Sequence, residues 1–239
     1  MSRRWASMQR RHALLALAGA ALAGCGGGDD EERDPPGTDP LPLALGAWWQ
    51  YDVEWFSGAG PVIPSSTRMR VITATTMADG TVHTLDGNGP LPPRLRRTAT
   101  EVLTSPAADD PDVLARAIGP YTLLRLPLRG GDSWLAVERT VMLTDDSGAS
   151  PPVPWDIRIT VDVRPADVVS TAVGRFRGAL QVTTSWVYAP PLVAAPAFGR
   201  RDDWIVPGIG IVRSTSSGYP VNGLRPYSRS FNLTAFGTA

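Results

Sequence analysis

The sequence predicts a mostly β fold: an antiparallel curved sheet or half-open barrel, with at most one or two short helices. Three observations predict it. Apolar side chains recur at every second residue in run after run, the pattern of strands with one wet face. Turn chemistry separates the runs, as at Asp79-Gly80, Asp86-Gly87-Asn88-Gly89, Gly130-Gly131-Asp132, Asp145-Asp146-Ser147-Gly148 and Ser216-Ser217-Gly218. A helical pattern with its own start and stop signals occurs once.

The chain opens with Arg3, Arg4, Arg10 and Arg11, then an apolar run from Ala13 to Ala23, then small residues and Cys25. That order is a secretory signal rather than a fold element. The run is shorter than the roughly 20 apolar residues a spanning helix needs. Leu22-Ala23-Gly24-Cys25 resembles the lipobox of bacterial lipoproteins. The resemblance implies removal of residues 1–24 as a signal peptide, and a diacylglycerol on the Cys25 thiol, with palmitate among the acyl groups of the anchor. Cys25 is the sole cysteine of the chain, so it has no disulfide partner, and lipidation accounts for it. Arg10-Arg11 also gives a twin arginine, but without the Phe that pathway prefers, so general secretion is expected. Gly26, not Asp, follows the cysteine. By resemblance to enterobacterial sorting, this implies a lipid-anchored envelope protein of the outer rather than the inner membrane.

Residues 25–40 read as the lipidated cysteine and a disordered acidic linker, since glycine and charge cannot bury a core. As a flexible coil, the 15 residues after the cysteine would span about 20 Å and let the domain stand off the bilayer. Residues 41–239 form one β domain, long enough for a sizeable core. Without the four arginines of the signal, the net charge is −4, which implies no nucleic-acid partner. Every basic residue is Arg and none is Lys, so a Schiff base or a Ser-Lys dyad is excluded.

Along the domain, Trp49, Tyr51, Val53 and Trp55 share one face, while Gln50, Asp52 and Glu54 share the other. Asp110 is placed to cap the helix, Pro111 suits its first turn, Val113, Leu114 and Ala117 give an apolar side, and Gly119-Pro120 ends it. Residues 156–163 alternate without a fault. From Phe176 to Tyr188, the residues Phe176, Leu180, Val182, Trp186 and Tyr188 fall on one face. Phe231 and Leu233 alternate with Ser230, Asn232 and Thr234. Pro207-Gly208-Ile209-Gly210 reads as a turn where backbone passes close to backbone.

A spacing P-L-x-x-G-x-x-W occurs twice, from Pro42 to Trp49 and from Pro127 to Trp134. Each copy leads into an alternating run. The Gly turns a corner and the Trp closes the end of the core, so two half-domains of similar hairpins are one expectation; separate strand-entry chemistry is the other. These spacings, with Gly174-Arg175-Phe176 and the run Trp204 to Arg213, resemble those of uncharacterised bacterial surface lipoproteins. The resemblance implies the half-open barrel of lipoprotein-carrier proteins and carries no activity.

Catalytic parts are sparse. His83 is the one histidine outside the signal segment. It stands within an alternating run, with no G-x-S-x-G elbow in the chain, so it is expected to be a strand-face residue. No cofactor pattern and no metal-ligand set is present: Asp109-Asp110, Asp145-Asp146 and Asp202-Asp203 read as solvated turns. Asp52 and Glu54, two apart on a strand, sit about 7 Å from each other. That is near the carboxylate spacing of an inverting glycosidase, and it is also ordinary for a wet face. Tryptophan is plentiful. Trp49, Trp55 and Trp186 on the inner face and Trp48 on the outer are the candidate contacts for a ligand or partner, Trp48 foremost. The leading expectation is a non-enzymatic module that sits on the membrane through its lipid and binds an apolar ligand or envelope protein. An envelope-polymer hydrolase and a structural or adhesin-like protein are the alternatives.

Overall fold

A computed structural model describes residues 31–58, 60–110, 112–143, 152–189, 197–219 and 227–238. Cys25 and the signal segment lie outside them. The elements in chain order are β1 (Glu32–Arg33), β2 (Trp48–Ser57), β3 (Ile63–Met77), β4 (Gly80–Asp86), β5 (Arg94–Arg97), β6 (Glu101–Thr104), α1 (Val113–Ile118), β7 (Thr122–Arg125), β8 (Ser133–Leu143), β9 (Val153–Pro165), β10 (Val168–Thr171), β11 (Gly174–Arg177), β12 (Leu180–Ala189), β13 (Ala197–Val206), β14 (Gly210–Tyr219) and β15 (Tyr227–Gly237).

Twelve strands form one antiparallel sheet in the order β7-β6-β5-β4-β3-β2-β15-β14-β13-β12-β9-β8, curled into a nearly closed barrel. Two six-stranded meanders compose it. One runs outward from β2 to β7 and the other from β8 through β9 and β12 to β15. They are joined by ladder hydrogen bonds between β15 and β2. The second seam, between β7 and β8, has no ladder and is held by side chains. Trp134 donates from Nε1 to the Thr122 carbonyl at 3.1 Å, Arg125 stacks on the Trp134 ring, and Arg139 donates to the Ile118 carbonyl at the end of α1. We call the end where β2 begins the lower end and the end where it stops the upper.

Each meander enters by the same corner. Gly46 and Gly131 both have positive φ, 83° and 97°, a conformation that a side chain disfavours. Gly46 N–H donates to the Val71 carbonyl and Gly131 N–H to that of Val163. Val71 N–H donates back to Ala47, and Val163 N–H to Asp132. Trp49 and Trp134 then bury their rings, and each indole N–H reaches a carbonyl. The spacing seen twice in the sequence is thus one geometry used twice.

Alternation sets the inner face as expected: Trp49, Tyr51 and Val53 on β2, and Ile157, Ile159, Val161 and Val163 on β9, are buried. β-Bulges, which put two residues of one strand opposite one of its neighbour, explain where alternation fails. At the shift beside Trp204, Ile205, Val206, Ile211 and Val212 are all buried in succession. Tyr51, Met69, Leu95 and Leu233 are among the fully buried side chains of the interior.

Three expectations are corrected. Residues 31–40, the described part of the predicted coil, pack on the domain. β1 pairs in parallel with β11, Glu32 meets Arg175 at 3.5 Å and Asp34 meets Arg177 at 3.5 Å, and Asp39 holds Arg97 at 2.8 Å. Composition argues for coil only where charges lack partners, and these acids have arginines waiting. The helix cap is Asp112, whose side chain accepts from Ala115 N–H, while Asp110 accepts from Asp112 N–H one turn earlier; Pro111 lies outside the described residues. The alternating run from Phe176 breaks at Gly178 (φ 68°). Phe176 therefore sits in a small sheet, β1-β11-β10, and Leu180 onward in the barrel.

Candidate functional site

The four candidate tryptophans separate along the barrel. Trp49 is core: 2% exposed, its Nε1 donating to the Ile209 carbonyl at 2.6 Å. Trp48 is half-buried on the outer face, its ring between the backbone of Gly237 and the Arg68 guanidinium, which lies 4.2 Å from the ring centre. Trp55 and Trp186 are brought to the upper end of the inner face. Trp55 is 44% exposed and Trp186 half-buried.

One rung above Trp55, register aligns Trp186, Gly199, Gly218 and Tyr227 across β12 to β15. The two glycines leave room for rings to lie flat. A Cβ at Gly199 would collide with the Trp186 indole, and one at Gly218 would come within 2.8 Å of the Tyr227 hydroxyl. The result is an aromatic floor at the barrel mouth. Burial raises the phenol pKa of Tyr121, Tyr188 and Tyr227, so all three remain protonated donors at neutral pH. Sequence reasoning found Trp186 but missed Tyr227 and the glycines. Their signal was a glycine at matching register on two adjacent strands, which cannot be read before the pairing is known.

Arg200, Arg201, Asp202 and Asp203 are a second constellation that the sequence did not reveal. Read as a turn, Asp202-Asp203 instead lies mid-strand in β13, and alternation sends two Arg/Asp pairs to opposite faces. Outside, Asp202 accepts from Arg200, Thr183 and Gln181 at 2.5–3.0 Å. Inside, Asp203 accepts from Arg201 Nε at 2.8 Å and from the Ser214 hydroxyl at 2.7 Å, and Arg201 also donates to the Pro90 carbonyl at 3.1 Å. Partial burial pushes the Asp202 carboxyl up, but its hydrogen bonds, Arg200's foremost, outweigh this and hold it below the usual range. Full burial pushes Asp203 up further than Arg201 and Ser214 pull it back.

The two neighbours therefore respond to acid with opposite sign. A depressed pKa gives stability that is complete above the unfolded value, about 3.9, and is lost as pH falls through the folded value. A raised pKa gives stability that is present below the unfolded value and is lost as pH rises through the folded one. Asp202→Asn is expected to narrow the fall in urea midpoint between pH 6 and pH 3 relative to the native chain. An unchanged fall would show that Asp202 does not carry the acid response.

At the lower end, a cavity of about 510 Å³ is bordered by Asp39, Leu43, Thr81, His83, Arg97 and Thr98. His83 is buried, and its Nδ1 makes no hydrogen bond among the described residues. Burial, then the nearby Arg97 charge, lowers its pKa against a backbone hydrogen bond with Leu43, so the ring is neutral at pH 7. Asp39, the carboxylate that could orient it, is taken by Arg97. Asp52 and Glu54 share the outer face of β2, both exposed, and Glu54 meets Ser230 at 3.5 Å.

No family model matches the chain, and no curated protein does. Two crystal structures are similar to this chain at low identity. One is a "putative lipoprotein" from Parabacteroides distasonis ATCC 8503, at 15% identity and a TM-score of 0.49 over 84% of this chain and 99% of that one. The other is a "putative exported protein with YmcC-like fold" from Bacteroides fragilis NCTC 9343, at 16% identity and a TM-score of 0.36 over 83% of this chain and 98% of that one.

Proposed function

We propose that this chain is a lipid-anchored cell-envelope protein, held by acyl groups on Cys25, that acts as a non-enzymatic binding module. It presents its upper mouth to an apolar ligand or to an apolar patch of an envelope partner. One observation carries the binding half: Trp186 and Tyr227 lie over Gly199 and Gly218 at the upper end of the inner face, both only half-buried, while Tyr51, Met69 and Leu233 fill the interior. Because these side chains fill the interior, we place the contact at the rim, where aromatic rings supply area at little entropic cost. The anchoring half rests on the lipobox and the lone cysteine. Two acyl signals hold a protein firmly where one does not. Outer-membrane destination is our reading of Gly26.

One experiment addresses both halves. Full-length protein expressed in a Gram-negative host is extracted and weighed intact under native conditions. The native chain is expected to carry covalent acyl mass and a reproducible non-covalent adduct. Cys25→Ser should lose the first and stay uncut, and Trp186→Ala should lose the second while keeping its acyl groups. Normal acylation of Cys25→Ser would sink the anchor; an adduct indifferent to Trp186→Ala would sink the mouth.

A further inference from the structure

The outer face of the same strands carries a different surface. Two adjacent rungs cross β2, β15, β14 and β13. One aligns Glu54, Ser230, Thr215 and Asp202, and the other aligns Phe56, Ser228, Ser217 and Arg200. The two central strands thus offer only small hydroxyl side chains, while the flanking strands offer long ones. Short residues between long ones make a trough, and a cavity of about 260 Å³ lies there. Its walls stand three interstrand spacings apart, roughly 14 Å.

We propose that this trough binds a neutral saccharide chain. Its floor consists of hydroxyls, which both donate and accept, as sugar hydroxyls do. Thr215, Ser217 and Ser228 make no side-chain hydrogen bond among the described residues, so their capacity is unspent. One wall supplies Phe56, whose ring face suits the C–H face of a sugar, and the Glu54 carboxylate. The opposite wall supplies Asp202 and Arg200, locked together at 2.8 Å with Asp202 steadied from behind by Thr183 and Gln181. That wall is preorganised, which spares the ordering cost of binding. Arg229 also borders the cavity, but its guanidinium lies over the ring of the inner-face Phe231; the side chains turned to the trough are then two carboxylates against one guanidinium, a balance that disfavours a polyanionic glycan. Apolar surface is confined to the margin, at Trp55, Phe56 and Val62, so the hydroxyl floor gives an acyl chain little to bury against. An added peptide strand is excluded as well, because β15, β14 and β13 are hydrogen-bonded on both sides and β2 lies between β15 and β3, so no free backbone edge is available.

The test is isothermal titration of the full-length protein in amine-oxide micelles, a detergent without a sugar headgroup. Maltohexaose, cellohexaose and chitohexaose are the neutral probes, and polygalacturonate is the anionic one. Saturable binding of at least one neutral probe is expected, tighter than polygalacturonate. Ser217→Trp and Ser228→Trp, which fill the floor, should each weaken it at least tenfold. Phe56→Ala, which empties the wall without filling the floor, should weaken it too, and it keeps the test decisive if the bulky variants do not fold. Trp186→Ala should leave sugar binding unchanged, which separates this trough from the mouth. Overturning results are no binding of any neutral probe, binding that survives Phe56→Ala and the floor variants that fold, or equal binding of polygalacturonate.

Discussion

Arg201→Met is expected to lower the stability of the barrel by about 3–5 kcal/mol, the usual cost of stranding one partner of a buried ion pair. Asp203 is fully enclosed, and its charge is met by Arg201 Nε at 2.8 Å and one serine hydroxyl. With the guanidinium gone, the carboxylate must either stay ionised in an apolar interior or take up a proton. The deficit should therefore be largest at neutral pH and shrink in acid, as Asp203 protonates. A second substitution, Asp203→Leu in the Arg201→Met background, should recover most of the loss, because no buried charge is then left unpaired and only the Ser214 hydroxyl and Pro90 carbonyl lose a partner. Urea unfolding of the three chains at pH 7 and pH 4 measures all of this. A single-variant loss below about 1 kcal/mol, the range of an exposed pair, would show that water reaches Asp203.

Trp49→Ala should cost a comparable amount, about 3–5 kcal/mol for a large aromatic removed from a packed core. The Ile209 carbonyl would also lose its donor. Trp48→Ala, one residue away, gives up a ring already between Gly237 and Arg68, and its cation–π contact is worth about 0.5–1 kcal/mol at such a site. For a domain of this size, each kcal/mol moves the midpoint by about 2–4 °C. Thermal melts should therefore separate the neighbours by on the order of 10 °C. Equal melts would mean that the two faces of β2 are packed alike, contrary to the alternation seen along the strand.

Much of this fold was legible because period two survives packing. Trp49-Tyr51-Val53 and the run from Asp156 to Val163 declare their inner faces without help from neighbours. The corner glycines Gly46 and Gly131 were legible through their shared spacing, since a positive φ at a fixed distance before a core Trp restricts what residue can stand there. Long-range pairing hid the rest. Nothing local tells Glu32 that Arg175 waits 143 residues on, so an acidic stretch read as coil became an ordered strap. Asp202-Asp203 looked like a turn because paired carboxylates are ordinary turn chemistry. Only within a strand do alternate residues separate into one pair outside and one inside. The mouth and the trough depend on which glycines and serines stand abreast on adjacent strands, a property of register that sequence spacing does not contain.

The two meanders differ in one further respect, which concerns time rather than space. Within each, every strand except those flanking the β10–β11 insertion pairs with its immediate successor, so both can assemble from neighbours as they emerge. The ladder joining them is of another kind: Ser230 lies opposite Glu54, 176 residues away. Loop closure on that scale is slow compared with hairpin formation. Synthesis from the N-terminus delivers β2 well before β15. Until β15 has emerged, β2 waits with one edge unpaired, the state most open to pairing with another chain. Strand β15 therefore acts as a latch: the two meanders become one sheet only when it arrives.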